Sequence, residues 1–127
     1  MLTPADAFHG FAVHDTEAAR AFYSDVLGVE VTDAEMGGII RLRLGGGTPT
    51  IVYPKPDHVP ATYTILNFPV DDVEAAVDEL TSRGVVFERY EGTPVETDEK
   101  GVFRGGGPLI AWFTDPSGNV LSVIAAD

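Results

Sequence analysis

The sequence contains no cysteine, which excludes disulfides, thiolate nucleophiles and cysteine-ligated metals at once. Positive charge is scarce: eight Lys and Arg stand against twenty Asp and Glu, for a formal charge of −12. Such a field repels phosphate backbones and anionic lipid, so neither nucleic acid nor a membrane surface is an expected partner. No apolar run approaches the ~20 residues of a membrane span. The opening residues MLTPADAFHG lack the basic and apolar regions of a signal peptide, so a cytoplasmic protein is expected. Histidine occurs only three times, which leaves few positions for chemistry that needs clustered imidazoles. What is present is 44% hydrophobic residues with fourteen glycines and nine prolines in 127 residues. That is enough for a real core, cut by turns into short strands.

Residues 6–13 read as a strand. Asp15 then caps a helix over 16–27, with Ala18, Ala19, Phe22, Tyr23 and Val26 on its apolar face and Gly28 as its stop. Strands are predicted over 29–33, 39–44 and 50–53, separated by Gly37-Gly38 and by a hairpin at Gly45-Gly46-Gly47. The stretch 54–60 carries Pro54, Pro56 and Pro60, which lack amide donors, so it cannot continue a ladder and reads as a linker. The order then repeats. A strand over 61–68 leads to Asp71 or Asp72 as cap of a helix through Ser82, with Val73, Ala76, Val77 and Leu80 on its apolar face. Strands follow over 85–90, 109–114 and 119–124, with a long loop over 91–108 that has room for a short strand at 102–104.

The letters repeat as well. His14-Asp15-Thr16-Glu17-Ala18-Ala19 is answered by Asp71-Asp72-Val73-Glu74-Ala75-Ala76, and Gly28-Val29 by Gly84-Val85. The expected fold class is α+β, a single domain over 1–127 made of two βαβββ modules, 1–54 and 61–127, joined by a linker over 55–60. One helix per sheet covers one face and leaves the other to form a core or a cavity where the sheets meet.

Several motifs are explained without catalysis. Asp115-Pro116-Ser117-Gly118-Asn119 has the Pro and Gly of a tight turn. Neither Gly45–Gly47 nor Gly105–Gly107 leads into a helix that would hold a phosphate, although the second triplet is a candidate pocket edge. Ser24, Ser82, Ser117 and Ser122 lack any nucleophile elbow. His14 beside the helix cap and His58 in the linker are expected on the surface.

The chain resembles the vicinal oxygen chelate superfamily, which groups glyoxalases, bleomycin-resistance proteins and extradiol dioxygenases. The resemblance is carried by Val13-His14-Asp15 through Ala21-Phe22-Tyr23-Ser24-Asp25-Val26-Leu27-Gly28, by Phe68-Pro69-Val70-Asp71-Asp72, and by Phe113-Thr114-Asp115-Pro116-Ser117-Gly118-Asn119. It implies a pair of βαβββ modules whose mixed sheets curl around a shared pocket, commonly in a homodimer. It also implies one divalent metal held by His, Glu or Gln from four strands. The matching positions here are Phe8, Ile65, Ser122 and the segment 51–53, none of which is a good first-row metal ligand. No cofactor is therefore expected, and no catalytic residue is assigned. His9 adjoins a ligand position, but strand alternation sends it to the helix side.

The pocket that remains is apolar and aromatic. Phe8, Tyr53, Tyr63, Asn67, Arg104, Trp112 and Ser122 are its candidate lining, with Ile65, Val120 and Ile124 sharing the inner face and Arg41 or Arg43 available to an anionic group. Such a surface suits a small organic molecule, and the same aromatics would equally pack a core between sheets. The expected function is binding of such a molecule in the inter-sheet pocket without a catalytic metal. The alternatives are a lyase, isomerase or dioxygenase with a displaced metal site or metal-free acid–base residues, and a regulatory dimer whose pocket is filled.

Overall fold

Strand order is the same in both halves of the computed structural model, which describes residues 1–45 and 47–126. The chain divides into two compact units, Met1–Val59 and Pro60–Asp127. Each carries one four-stranded sheet, ordered β1-β4-β3-β2 in the first and β5-β8-β7-β6 in the second. In each sheet the first and last strands pair in parallel and the remaining pairs are antiparallel. This is the expected α+β architecture of two βαβββ modules.

In the first unit the strands are β1 (Gly10–Val13), β2 (Glu30–Asp33), β3 (Ile40–Arg43) and β4 (Thr50–Pro54). Asp15 starts α1 (Thr16–Ala21), its carboxylate accepting from the amides of Glu17 and Ala18 at 2.9 and 3.4 Å. The single long helix expected over 16–27 widens after Ala21 into a π-helical turn, Phe22–Val26, and Gly28 follows with φ +74°. The register places Phe11, Val13, Val52, Ile40 and Leu42 on one face. All but the half-buried Phe11 are buried there, and the Phe11 ring meets Tyr23 at 5.9 Å.

Several expectations need correction in this unit. The strand over 6–13 starts only at Gly10, because Pro4–Asp6 forms a 3-10 turn instead. His9 therefore lies outside the strand and is exposed. Pro54 belongs to β4, pairing with Val13 where an amide donor is not required of it. His58 is buried rather than on the surface, its ring edge-on to His14 at 5.0 Å. The glycine hairpin lies between β3 and β4, and its central residue, Gly46, lies outside the described residues.

In the second unit the strands are β5 (Thr64–Val70), β6 (Val102–Phe103), β7 (Ile110–Thr114) and β8 (Val120–Ala125). Asp72, not Asp71, caps α2 (Val73–Ser82) by accepting from the amide of Ala75 at 3.0 Å. α2 packs on β6, β7 and β8. The row of Val102, Ala111, Phe113, Leu121 and Val123 beneath it is buried. The strand expected over 61–68 begins later and ends later, with a register shift between Thr64 and Leu66. The expected strand over 85–90 is not in the ladder. Its burial does alternate, with Val85 and Phe87 buried and Val86 82% exposed. Its Glu88 amide donates to the Trp112 carbonyl of β7 at 2.8 Å.

The turn between β7 and β8 is built on Asp115. Its buried carboxylate accepts from the amides of Ser117 and Asn119 at 2.9 and 3.0 Å and from the Asn119 side chain at 2.9 Å. Replacing Asp115 by Ala strands those buried donors, so a loss of about 2–3 kcal/mol is expected in urea unfolding. The exposed Asp57→Ala should leave the unfolding midpoint essentially unchanged in the same measurement.

Candidate functional site

The register of the second sheet brings three of the candidate residues into one row. Asn67 on β5, Ser122 on β8 and Trp112 on β7 are direct cross-strand partners. Residues two apart on a strand share a face, so this row lies opposite the face that α2 covers. The Ser122 side chain is fully buried and its hydroxyl donates to the Asn67 Oδ1 at 2.5 Å. With its oxygen engaged, Asn67 presents its amide NH2 as the donor of the pair.

Trp112 carries the aromatic part of the row. The Tyr90 ring stands against it at 5.4 Å and 63°, and the Phe103 ring at 5.9 Å and 46°. These are tilted and edge-on geometries that a ring quadrupole favours. Phe103 reaches this face because it pairs with Ile110, which has the same parity as Trp112. Its ring also lies over Gly105, where an added Cβ would come within 2.6 Å of Phe103 Cε1. Tyr90 is held by its backbone: it has φ +49°, and its carbonyl accepts from the Thr93 hydroxyl at 2.7 Å. Burial first, and then the neighbouring Glu88 charge, push the Tyr90 hydroxyl above its ordinary value.

Other candidates fall elsewhere. Phe8 is 62% exposed and lies before β1 begins, and Tyr63 is 71% exposed and lies before β5. The β5 register shift reverses parity upstream of Leu66: Thr64, not Ile65, partners Val120. Tyr63 therefore does not extend the Asn67 row. Tyr53 shares a face with Ala12 in the first sheet, the face opposite buried Val52, together with Arg41 and Arg43. There Arg41 donates to the Asp33 carbonyl at 2.8 Å and Arg43 lies 3.9 Å from Glu30. Arg104 is turned toward α2 instead, at 3.1 Å from Glu74 and 2.9 Å from Asp98. Its parity is opposite to that of Phe103, which a two-residue strand did not make legible. Tyr90 was absent from the expected lining, because a residue read as a strand end is here a left-handed bend. A surface depression of about 330 Å³, lined in part by Thr81, Val85, Phe87 and Arg89, contains none of the candidate residues.

The superfamily's metal can be tested against the donors. Phe8, Ile65 and the segment 51–53 offer no His, Glu or Gln. Ser122 offers a neutral hydroxyl already committed to Asn67. This donor set does not fit a first-row divalent ion. Among the described residues, no group of three or more His, Cys, Asp or Glu is arranged to hold a metal. No described helix is long and apolar enough to cross a membrane.

The fold has many known counterparts. The family model described as Glyoxalase/Bleomycin resistance protein/Dioxygenase superfamily matches residues 7–123. The chain belongs to that superfamily. It is similar to TnmS3, an antibiotic binding protein from Streptomyces sp. CB03234, at 23% identity and a TM-score of 0.64, over 95% of this chain and 96% of that one. It is also similar to a glyoxalase/bleomycin resistance protein from the same Streptomyces strain, at 25% identity and a TM-score of 0.62, over 94% and 98% of the two chains. A putative glyoxalase family protein from Bacillus anthracis is 18% identical with a TM-score of 0.67, and both chains are covered completely, at 100% each. No curated protein sequence matches the chain.

The Asn67–Ser122 pair is asymmetric in burial, and its two members should respond differently. Asn67→Ala leaves a fully buried hydroxyl without its acceptor and should cost about 1–2 kcal/mol. Ser122→Ala leaves an exposed amide that water can satisfy and should cost less than about 1 kcal/mol. Chemical denaturation of the two variants, with unchanged slope, reads the difference.

Proposed function

We propose that the protein binds a small organic molecule with an aromatic or extended apolar body against the Trp112 face of the second sheet, and holds it without a catalytic metal. The observation that carries this reading is the cluster of Tyr90, Trp112 and Phe103 beside the Asn67–Ser122 pair. Three rings supply flat apolar area and one amide supplies direction, which is the common composition of small-molecule sites. The similarity to TnmS3, an antibiotic binding protein, supports the same reading. The poor donor set at the superfamily's metal positions supports sequestration over metal-centred turnover. In this proposal the protein works in the cytoplasm as a homodimer.

The only tryptophan in the chain reports on the site directly. Titration with bleomycin and with a panel of aromatic antibiotics should give saturable quenching of Trp112 fluorescence by at least one compound. The same compound should raise the melting temperature and be recovered unchanged. Chelator should leave the affinity as it was. Phe103→Ala and Tyr90→Ala should each weaken binding by about tenfold, the equivalent of about 1.4 kcal/mol. Consumption of the compound would overturn sequestration in favour of a lyase, isomerase or dioxygenase. Failure of every compound to stabilise the protein would favour a regulatory dimer.

A further inference from the structure

We propose that Arg104 is a positioning residue for the Trp112 face: together with Lys100 it clasps the 98–104 turn onto α2 and so sets Phe103 against Trp112. The proposal rests on the reading of that face as the binding surface. Its physical basis begins with the weakness of the alternative support. β6 is two residues long and pairs only Val102 with Ala111 and Phe103 with Ile110. A ladder that short is marginal by itself.

Charge supplies what the ladder does not. Arg104 lies 3.1 Å from Glu74 on α2 and 2.9 Å from Asp98. Lys100 lies 3.0 Å from Asp78 and 3.7 Å from Glu74, both on α2. Glu74 is thus shared by both cations, which makes a network rather than two isolated pairs. In a chain with eight basic residues and twenty acidic ones, placing two cations on one short turn commits a large share of the available positive charge. Asp98 also accepts from the backbone amides of Lys100 and Val102, each at 2.9 Å. The turn it closes seats Gly101 so near Phe87 that an added Cβ would lie 2.6 Å from Phe87 Cβ.

Arg104 stands between Phe103, whose ring meets Trp112, and Gly105, whose Cα that ring overlies. Holding the Arg104 guanidinium on the α2 side therefore fixes the backbone from which the Phe103 ring projects to the other face. Donating to the Asp78 carboxylate raises the pKa of Lys100, and donating to the Asp98 carboxylate raises that of Arg104. Burial pushes the Asp98 carboxyl up, but the bonds from Arg104 and the amides of Val102 and Lys100 outweigh it and leave it below its ordinary value.

The test needs no ligand, so its failure leaves the binding reading intact, and failure to find a ligand leaves the clasp intact. Trp112 emission and its quenching by acrylamide are measured at low salt and at about 1 M salt, where the screening length falls to about 3 Å. In the unaltered protein, high salt should shift emission to the red and increase quenching. Arg104→Met, which keeps the apolar stem, should show both changes already at low salt and respond no further to salt. Amide exchange across 98–104 should be about fivefold faster in Arg104→Met, as expected for the loss of two partly exposed pairs. Arg104→Lys should recover part of the low-salt signal. Unchanged far-ultraviolet circular dichroism separates release of the turn from unfolding. A Trp112 signal in the unaltered protein that ignores salt overturns the proposal, as does Arg104→Met with the original quenching and salt response. If Arg104→Met fails to fold, the salt response of the unaltered protein decides alone.

Discussion

Each four-stranded sheet has a single helical segment to cover it, and one helix dries one face. That constraint divides every strand into residues that must be apolar and residues that are free to do something else. In the second unit the committed residues are Val102, Ala111, Phe113 and Leu121, all fully buried, on the face where α2 packs. Their neighbours in sequence, Phe103, Trp112 and Ser122, point the other way. Ser122 is buried there, so its hydroxyl needs an acceptor, and Asn67 supplies one. The rings of Tyr90 and Phe103 lean on Trp112 but leave it partly open. Exposed apolar area forfeits about 25 cal/mol per Å² relative to burial. A flat ligand would recover part of that deficit, which is the physical basis of the proposed binding role.

The acidic excess looks at first like material for a metal site. Its members are instead distributed as fasteners. Asp15 and Asp72 cap the two helices, Asp115 organises the last turn, and Asp98 closes the turn before β6. Glu74 and Asp78 receive the two cations of that turn. A metal needs several donors converging on one point, whereas each of these carboxylates already has backbone amides, an ammonium or a guanidinium as a partner. Their use is local, and it is the same use in both modules at the helix starts.

What was legible in the sequence is what depends on neighbours along the chain. The helix caps followed from Asp before an apolar period, the helix stop at Gly28 from the need for a positive φ, and the repeat from letters that recur at the caps. What was not legible depends on partners far along the chain. The stretch 85–90 alternates as a strand should, and its Val85 and Phe87 are buried accordingly, but β6 pairs with Ile110 and Ala111 of β7 while the Glu88 amide bonds the Trp112 carbonyl without forming a ladder. Ile65 loses its expected row because a register shift upstream of Leu66 resets parity, an event invisible to alternation alone. Arg104 read as a pocket residue because a scarce cation beside an aromatic attracts that reading. Its parity was set by a two-residue strand too short to show a period.

The two modules diverge most where the aromatic cluster stands. In the first, the edge strand β2 pairs with β3 over four residues, Glu30 to Asp33, and the chain between helix and strand is short. In the second, the corresponding edge is reduced to β6, and the segment 85–101 is released to run beside β7. That release costs ladder hydrogen bonds and places Tyr90 at φ +49°, a conformation that disfavours a side chain with a Cβ by roughly 1–2 kcal/mol. A repeat that preserves its caps and its strand order gives up ladder regularity at this edge. The local structure it adopts instead is the one that brings Tyr90 and Phe103 to either side of Trp112. Where local regularity is given up in this way, the aromatic surface it builds is the one proposed to bind.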